Sequence, residues 1–399
     1  MKNFDYMKKS TMIILSLLIA LICCCSCKEN LELENGVKYD KLSWTKDTEE
    51  YTLDSVTYSY KKSSDGKYCW ITRIKLVDNN KLGELVFPND IEGAILLRIG
   101  FDVKDATQDK TDVMYNVFGT PLYDDDFEYP KEFSSIETVI LPDSVQNIED
   151  GAFTGLYSLK KINCPKELVR IGNGAFNLCS GLQEFAINSK VTEIGDGAFA
   201  ECTRLEKLPV SPNNKKYYEQ GGLIIDKEKK QAIMAISGKK EIILPSNIEL
   251  FSKRCFDDSS VNKISLESGD NRFIKKDDYI YKKSDKALLI GIVNGEKAIL
   301  PEGIEEVNEA SKFIGKDLKV VEFPKSIRCL RGAWLDSFDG EDCTYVFKSK
   351  QPPKIVEPSK NVSSVPIGSK IFVPEQSLKE YKKWFKINGG EMSRIEKIS

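Results

Sequence analysis

The sequence predicts a β-rich repeat solenoid with parallel strands. Three observations carry that prediction. The tripeptide Gly-Ala-Phe occurs at Gly151-Ala152-Phe153, Gly174-Ala175-Phe176 and Gly197-Ala198-Phe199, at an interval of 23 residues. Other positions keep the same step: Val145, Leu168 and Val191; Ile148, Ile171 and Ile194; Leu159, Leu182 and Leu205. Pro142 recurs as Pro165 and Cys179 as Cys202. A fixed period with recurring apolar positions marks a unit that buries its face only by stacking on its copies.

The period and its leucine-like positions are those of leucine-rich repeats. The unit reads Leu-x-x-Ile-x-Ile-Pro-x-x-Val-x-x-Ile-Gly-x-x-Ala-Phe-x-x-Cys-x-x-Leu, and the segment from Leu159 to Leu182 follows it nearly throughout. This unit resembles the BspA-type leucine-rich repeat. Strand residues around Ile140, Ile162 and Phe185 are expected to pair in parallel at about 4.8 Å. Phe153, Phe176 and Phe199 are expected to fill the core as an aromatic column. Gly172 and Gly195 are read as turn-permitting positions.

Residues 82–350 form the expected solenoid. A first, degenerate unit runs from Leu85 to Gly100, and Asn116-Val117-Phe118 completes it. Two blocks at an offset of 56 residues, Gly221–Pro245 and Asp277–Pro301, read as strand, charged turn, strand. They predict β-hairpins inserted near 213–240 and 270–297, as in BspA-like chains. Upstream, residues 51–81 alternate β-formers around the turn signal Ser63-Ser64-Asp65-Gly66-Lys67 and predict a small N-terminal β cap. Residues 351–399 read as a C-terminal cap. It holds a final strand at 370–374 and a short amphipathic helix from Ser377, a candidate N-cap, to Phe385. Leu378, Tyr381, Trp384 and Phe385 are placed as its lid on the last coil.

The N-terminus carries Lys2, Lys8 and Lys9 before an apolar run of 11 residues, Met12 to Ile22. That run makes roughly 16 Å of helix, too short for a bilayer of about 30 Å. Residues 1–26 are therefore read as a lipoprotein signal peptide and 27–50 as a polar tether. Ser26-Cys27 resembles a bacterial lipobox, and Lys28-Glu29 resembles the charged tag of surface-exported lipoproteins of Bacteroides-like bacteria. Cys27 is the candidate lipidation site. Cys24, with Leu21 three residues before it, and Cys25 are the rivals. A diacylated cysteine supplies the two chains that stable anchoring needs.

Composition excludes several chemistries. There is no histidine, which removes Ser/His/Asp and Cys/His catalytic systems and every His-containing metal site. The net charge of −3 gives no basic footprint for nucleic acid. The acidic group Asp124, Asp125, Asp126 and Glu128 has oxygen ligands for Ca²⁺, but lacks the glycine of an EF-hand and reads as a solvated loop. No catalytic constellation, metal site or cofactor is expected. Cys179 and Cys202, on the repeat, are read as small core residues rather than a ladder disulfide. Asp54-Ser55-Val56 and Asp143-Ser144-Val145 resemble a short O-glycosylation site, although Ser144 also fills an ordinary repeat slot.

What remains for function is surface. Outward strand positions Thr138, Lys161, Glu184 and Lys207, with Lys263 and Lys319 further on, are the binding candidates. The resemblance implies an adhesin-like, non-enzymatic chain on the outer membrane. Such a chain is lipid-anchored, monomeric and bound to an external protein or glycan. The alternative is an accessory structural subunit of an outer-membrane assembly.

Overall fold

The computed structural model describes residues 41–53, 55–77, 82–101, 117–118, 135–252, 255–256, 259–308, 310–315, 318–332, 335, 343–356, 369–388 and 394–398. The signal peptide, Cys24, Cys25, Cys27, the acidic group at 124–128 and Asp54 lie outside these residues.

Between Ile136 and Leu208 the chain winds in coils whose strands are two or three residues long. Each coil contributes to two parallel ladders. In one, Glu84–Val86, Thr138–Ile140 and Lys161–Ile162 pair in register, Thr138 against Lys161 and Val139 against Ile162. In the other, Ala94–Ile99, Asn147–Ile148, Arg170–Ile171 and Glu193–Ile194 pair in order, continuing the sheet of the N-terminal cap. The repeat period sets this register: each inward apolar residue lands on its copy one coil on. Val145, Leu168 and Val191 are fully buried, as are Leu159, Leu182 and Leu205. The column of Phe153, Phe176 and Phe199 is stacked, with ring centroids 5.6 and 5.1 Å apart and rings nearly parallel at 11° and 18°.

The two cysteines of the repeat are free and buried. Cys179 Sγ donates to Phe153 O and Cys202 Sγ to Phe176 O, each at 3.2 Å. They pack as small apolar groups, and each thiol adds a second donor to a carbonyl that already accepts a backbone amide.

The glycines correct one expectation. Gly172 and Gly195, read as turn positions, do not have the left-handed backbone that favours glycine. The turns are made by Gly151, Gly174 and Gly197, at φ 64°, 57° and 61°. Gly172 is required by close approach instead. A Cβ there would stand 2.4 Å from Asp150 N, and one on Gly195 would stand 2.4 Å from Asn173 N. Backbone of one coil rests on backbone of the next at these points.

The cap is a three-stranded antiparallel sheet of Glu49–Leu53, Val56–Lys62 and Tyr68–Leu76. It begins earlier than position 51: Trp44, assigned to the tether, bridges to Ser63. Arg98 of the first coil lies 3.8 Å from the Trp70 ring centroid and 5.6 Å from that of Trp44, so cation–π contact ties cap to coil. Val117 and Phe118 are buried in the same core.

The two blocks at a 56-residue offset are three-stranded meanders rather than lone hairpins. Tyr217–Gln220, Leu223–Asp226 and Gln231–Ala235 form the first; Phe273–Lys276, Tyr279–Lys282 and Leu288–Ile292 form the second. Each rejoins the coils through a parallel partner, Leu250–Phe251 and Lys312–Ile314 respectively.

The equivalent positions Asn214 and Asp270 open both meanders, and they differ in one atom. Asn214 Nδ2 donates to Asn188 O and Val191 O at 2.8 and 2.9 Å, while its Oδ1 accepts from the Lys216 and Tyr217 amides. Asp270 Oδ1 likewise accepts from the Arg272 amide at 2.8 Å. Its Oδ2 is buried without a hydrogen-bond donor, with Arg272 at 3.6 Å. A buried acceptor without a donor costs roughly 1–3 kcal/mol. Asp270→Asn is therefore expected to raise the thermal midpoint of unfolding, by a gain of about 1 kcal/mol. A lowered midpoint in a melting curve would contradict this.

At the C-terminal end, Lys297–Ile299, Val320–Phe323, Thr344–Phe347, Ile371–Val373 and Ile395–Lys397 form one parallel sheet. The last strand follows the helix Leu378–Ile387, so the strand expected at 370–374 is not the final one. Tyr381 and Phe385 of the helix are fully buried, and Leu378 and Trp384 pack against the same core. Ser377 stands at the N-cap, but its side chain makes no capping hydrogen bond. The turn Glu375–Ser377 leads into the helix instead.

Candidate interaction face

The first ladder alternates inward and outward side chains, as any strand must. Val139, Ile162, Phe185 and Leu208 face the core. The preceding residues face out: Thr138 is half-buried, and Lys161, Glu184 and Lys207 are exposed. Thr138 pairs with Lys161 across the ladder, and Glu184 bridges to Lys207. The four candidates therefore occupy one row, and none contributes to the core. Lys263 and Lys319 are exposed on later coils; Lys263 is held by Glu241 at 2.8 Å, and Lys319 pairs with Glu296.

A second outward row was missed in the sequence. Ile140, grouped with inward strand residues, is 39% exposed, and Ile243 and Ile299 in the same strand position are 48% and 50% exposed. Ile243 pairs with Ser265 and Ile299 with Glu322. These polar partners are the signal available in the sequence, since a position that alternates between isoleucine and serine or glutamate along the repeat points away from the apolar core. Glu322 joins three coils: Lys297 is at 2.8 Å and Lys348 is also paired to it. Burial works against its charge, but hydrogen bonds from these two ammonium groups hold the carboxyl below its usual range.

A connected cluster of part-buried charges lies on the second ladder. Glu149 accepts from Arg98 and Arg170, and Arg170 also reaches Asp150 and, at 2.7 Å, Glu193. Burial pushes the Glu149 carboxyl up, against the pull of both guanidinium groups. Every member of this cluster is tied to another, and it braces the coils. Ser144 Oγ donates to Leu96 O at 2.7 Å, which commits that hydroxyl to the neighbouring coil. Among the described residues no group of three or more Cys, Asp and Glu side chains is placed to hold a metal ion.

A family model for the BspA type leucine rich repeat region matches residues 127–220 and 229–333, in six copies. The chain carries BspA-type leucine-rich repeats. No curated protein matches the sequence. Among solved structures, the chain is similar to a leucine rich cell surface protein from Faecalibacterium prausnitzii, at 15% identity and TM-score 0.42, covering 88% of this chain and 96% of that one. The pneumococcal vaccine antigen PcpA is similar at 15% identity and TM-score 0.41, covering 89% and 100%. A leucine-rich repeat protein from Bacteroides ovatus is similar at 18% identity and TM-score 0.38, covering 82% and 80%. The matched stretches leave residues 221–228 of the first meander between them and run through the whole of the second.

Proposed function

We propose that this chain is a non-catalytic, cell-surface lipoprotein that binds a macromolecular partner through the outward face of its repeats. The partner is a host or bacterial protein, or a glycan. The observation that carries the reading is the row Thr138, Lys161, Glu184 and Lys207: four coil-equivalent side chains in one line, none of which is used by the core. A solenoid frees such positions to vary while the inward ladders hold the coils. The lipobox-like sequence at Cys27, behind an apolar run too short to span a bilayer, supports an anchor on the outer membrane.

Proteinase K treatment of intact cells tests the reading. Degradation of the protein at the cell surface is the expected result. Survival until the envelope is opened would place the chain inside and favour an accessory subunit of an envelope assembly.

A further inference from the structure

The second meander leaves a groove of about 650 Å³ against the strand Leu250–Phe251. Leu250 is the exposed part of its apolar side, Ile248 and Phe273 being buried, and Arg272, Lys282 and Lys283 stand on its rim. Leu250 is 42% exposed. The one carboxylate of the lining, Glu249, is already neutralised by Lys230 at 2.9 Å. Arg272 already faces Asp270 at 3.6 Å and donates to Ile248 O at 3.4 Å, so the groove presents Lys282 and Lys283 beside the exposed Leu250.

The first meander supplies an internal comparison. At the 56-residue offset, Asp226, Lys227 and Glu228 occupy the places of Lys282, Lys283 and Ser284. Asp226 has a structural task there: its Oδ1 accepts from the Glu228 and Lys229 amides at 3.0 and 2.9 Å and closes the turn. Lysine at 282 gives up that turn closure, and Asp285 holds the turn instead through the Ala287 amide at 3.0 Å. The same fold has thus exchanged a self-capping carboxylate for a cation at the mouth of a groove. The wider region shares the bias: residues 207–297 hold 18 Lys and Arg against 13 Asp and Glu, in a chain of net −3.

We infer that this groove binds an acidic peptide segment of a partner protein, with an apolar side chain seated on Leu250 and flanking carboxylates paired to Lys282 and Lys283. Charge complementarity selects the acidic character, and the aliphatic patch selects a peptide over an acidic glycan. A sugar ring stacks on an aromatic face, whereas Phe273 is buried and its ring is covered by the Arg272 guanidinium at 4.7 Å. This surface is separate from the outward row, so it stands or falls independently of the reading given above. A buried apolar anchor with a ring of charges follows the usual division of labour, the anchor giving affinity and the rim giving selectivity and on-rate.

The test is fluorescence polarisation of the purified chain with a labelled peptide, Asp-Glu-Leu-Asp-Glu, beside one with serine for leucine and one with lysines for the acids. The expected result is saturable binding of the first peptide alone. Lys282→Glu with Lys283→Glu, and separately Leu250→Ser, should each weaken it by at least about tenfold, with an unchanged melting curve. Equal binding of all three peptides, equal binding by the variants, or no binding would overturn the inference. Displacement of the peptide by polygalacturonate that is indifferent to Leu250→Ser would overturn it in favour of a glycan.

Discussion

Phe176→Ala is expected to cost about 3–5 kcal/mol of stability, the range for removing a fully buried aromatic ring. Phe176 is fully buried and stacks between Phe153 and Phe199, with Phe185 a further 5.3 Å away. No backbone movement closes such a cavity without shifting two neighbouring coils. In a solenoid each coil is stabilised chiefly by the next, so the loss should be concentrated locally. Amide exchange should show protection falling first between residues 151 and 205, with the C-terminal sheet least affected. The urea midpoint should fall with it. A change of less than about 1 kcal/mol would mean that the column is not what joins these coils.

Gly172→Ala has the next largest expected effect, at least about 2 kcal/mol, as for forced overpacking. The added methyl meets Asp150 N at 2.4 Å and Glu149 C at 2.5 Å, and backbone cannot rotate away as a side-chain end does. Gly174→Ala is the informative comparison. Its φ of 57° carries a penalty of about 1–2 kcal/mol for a residue with a Cβ. The nearest atom to its Cβ, however, is the Asn177 side chain at 3.7 Å. Thermal unfolding should rank Gly172→Ala as the more damaging. The reverse order would make backbone conformation, not coil-to-coil contact, the reason for the Ile-Gly of the repeat.

These two glycines mark the limit of what the sequence reveals. A 23-residue period identifies the inward columns, because side chains that must stack on their copies cannot vary freely. It does not say why a glycine recurs, since a sharp turn and a backbone contact leave the same residue behind. Ile140 shows the same limit on the strands: in Val139-Ile140-Leu141 only the pairing of coils decides which residues turn inward. The first strand of each meander, Tyr217–Gln220 and Phe273–Lys276, and the strand Ile395–Lys397 were hidden for a related reason. They carry weak patterns of their own and are held by their neighbours, the first strands by the strand that follows and Ile395–Lys397 by Ile371–Val373. The outward row was legible, as Thr138, Lys161, Glu184 and Lys207 keep the period while changing chemistry. The basic groove was not, because its cations come from separate turns and are joined only when the meander folds.

The separation of fold from recognition is the central claim, and a single variant addresses it. Thr138, Lys161, Glu184 and Lys207 are replaced together by alanine. Melting of the purified protein is followed alongside its binding to immobilised extracellular-matrix proteins and to intact bacteria. The expected result is a melting curve close to that of the parent, each exposed change contributing within about 0.5 kcal/mol, together with lost binding. Collapse of the fold, or binding undiminished from the parent, would contradict the account.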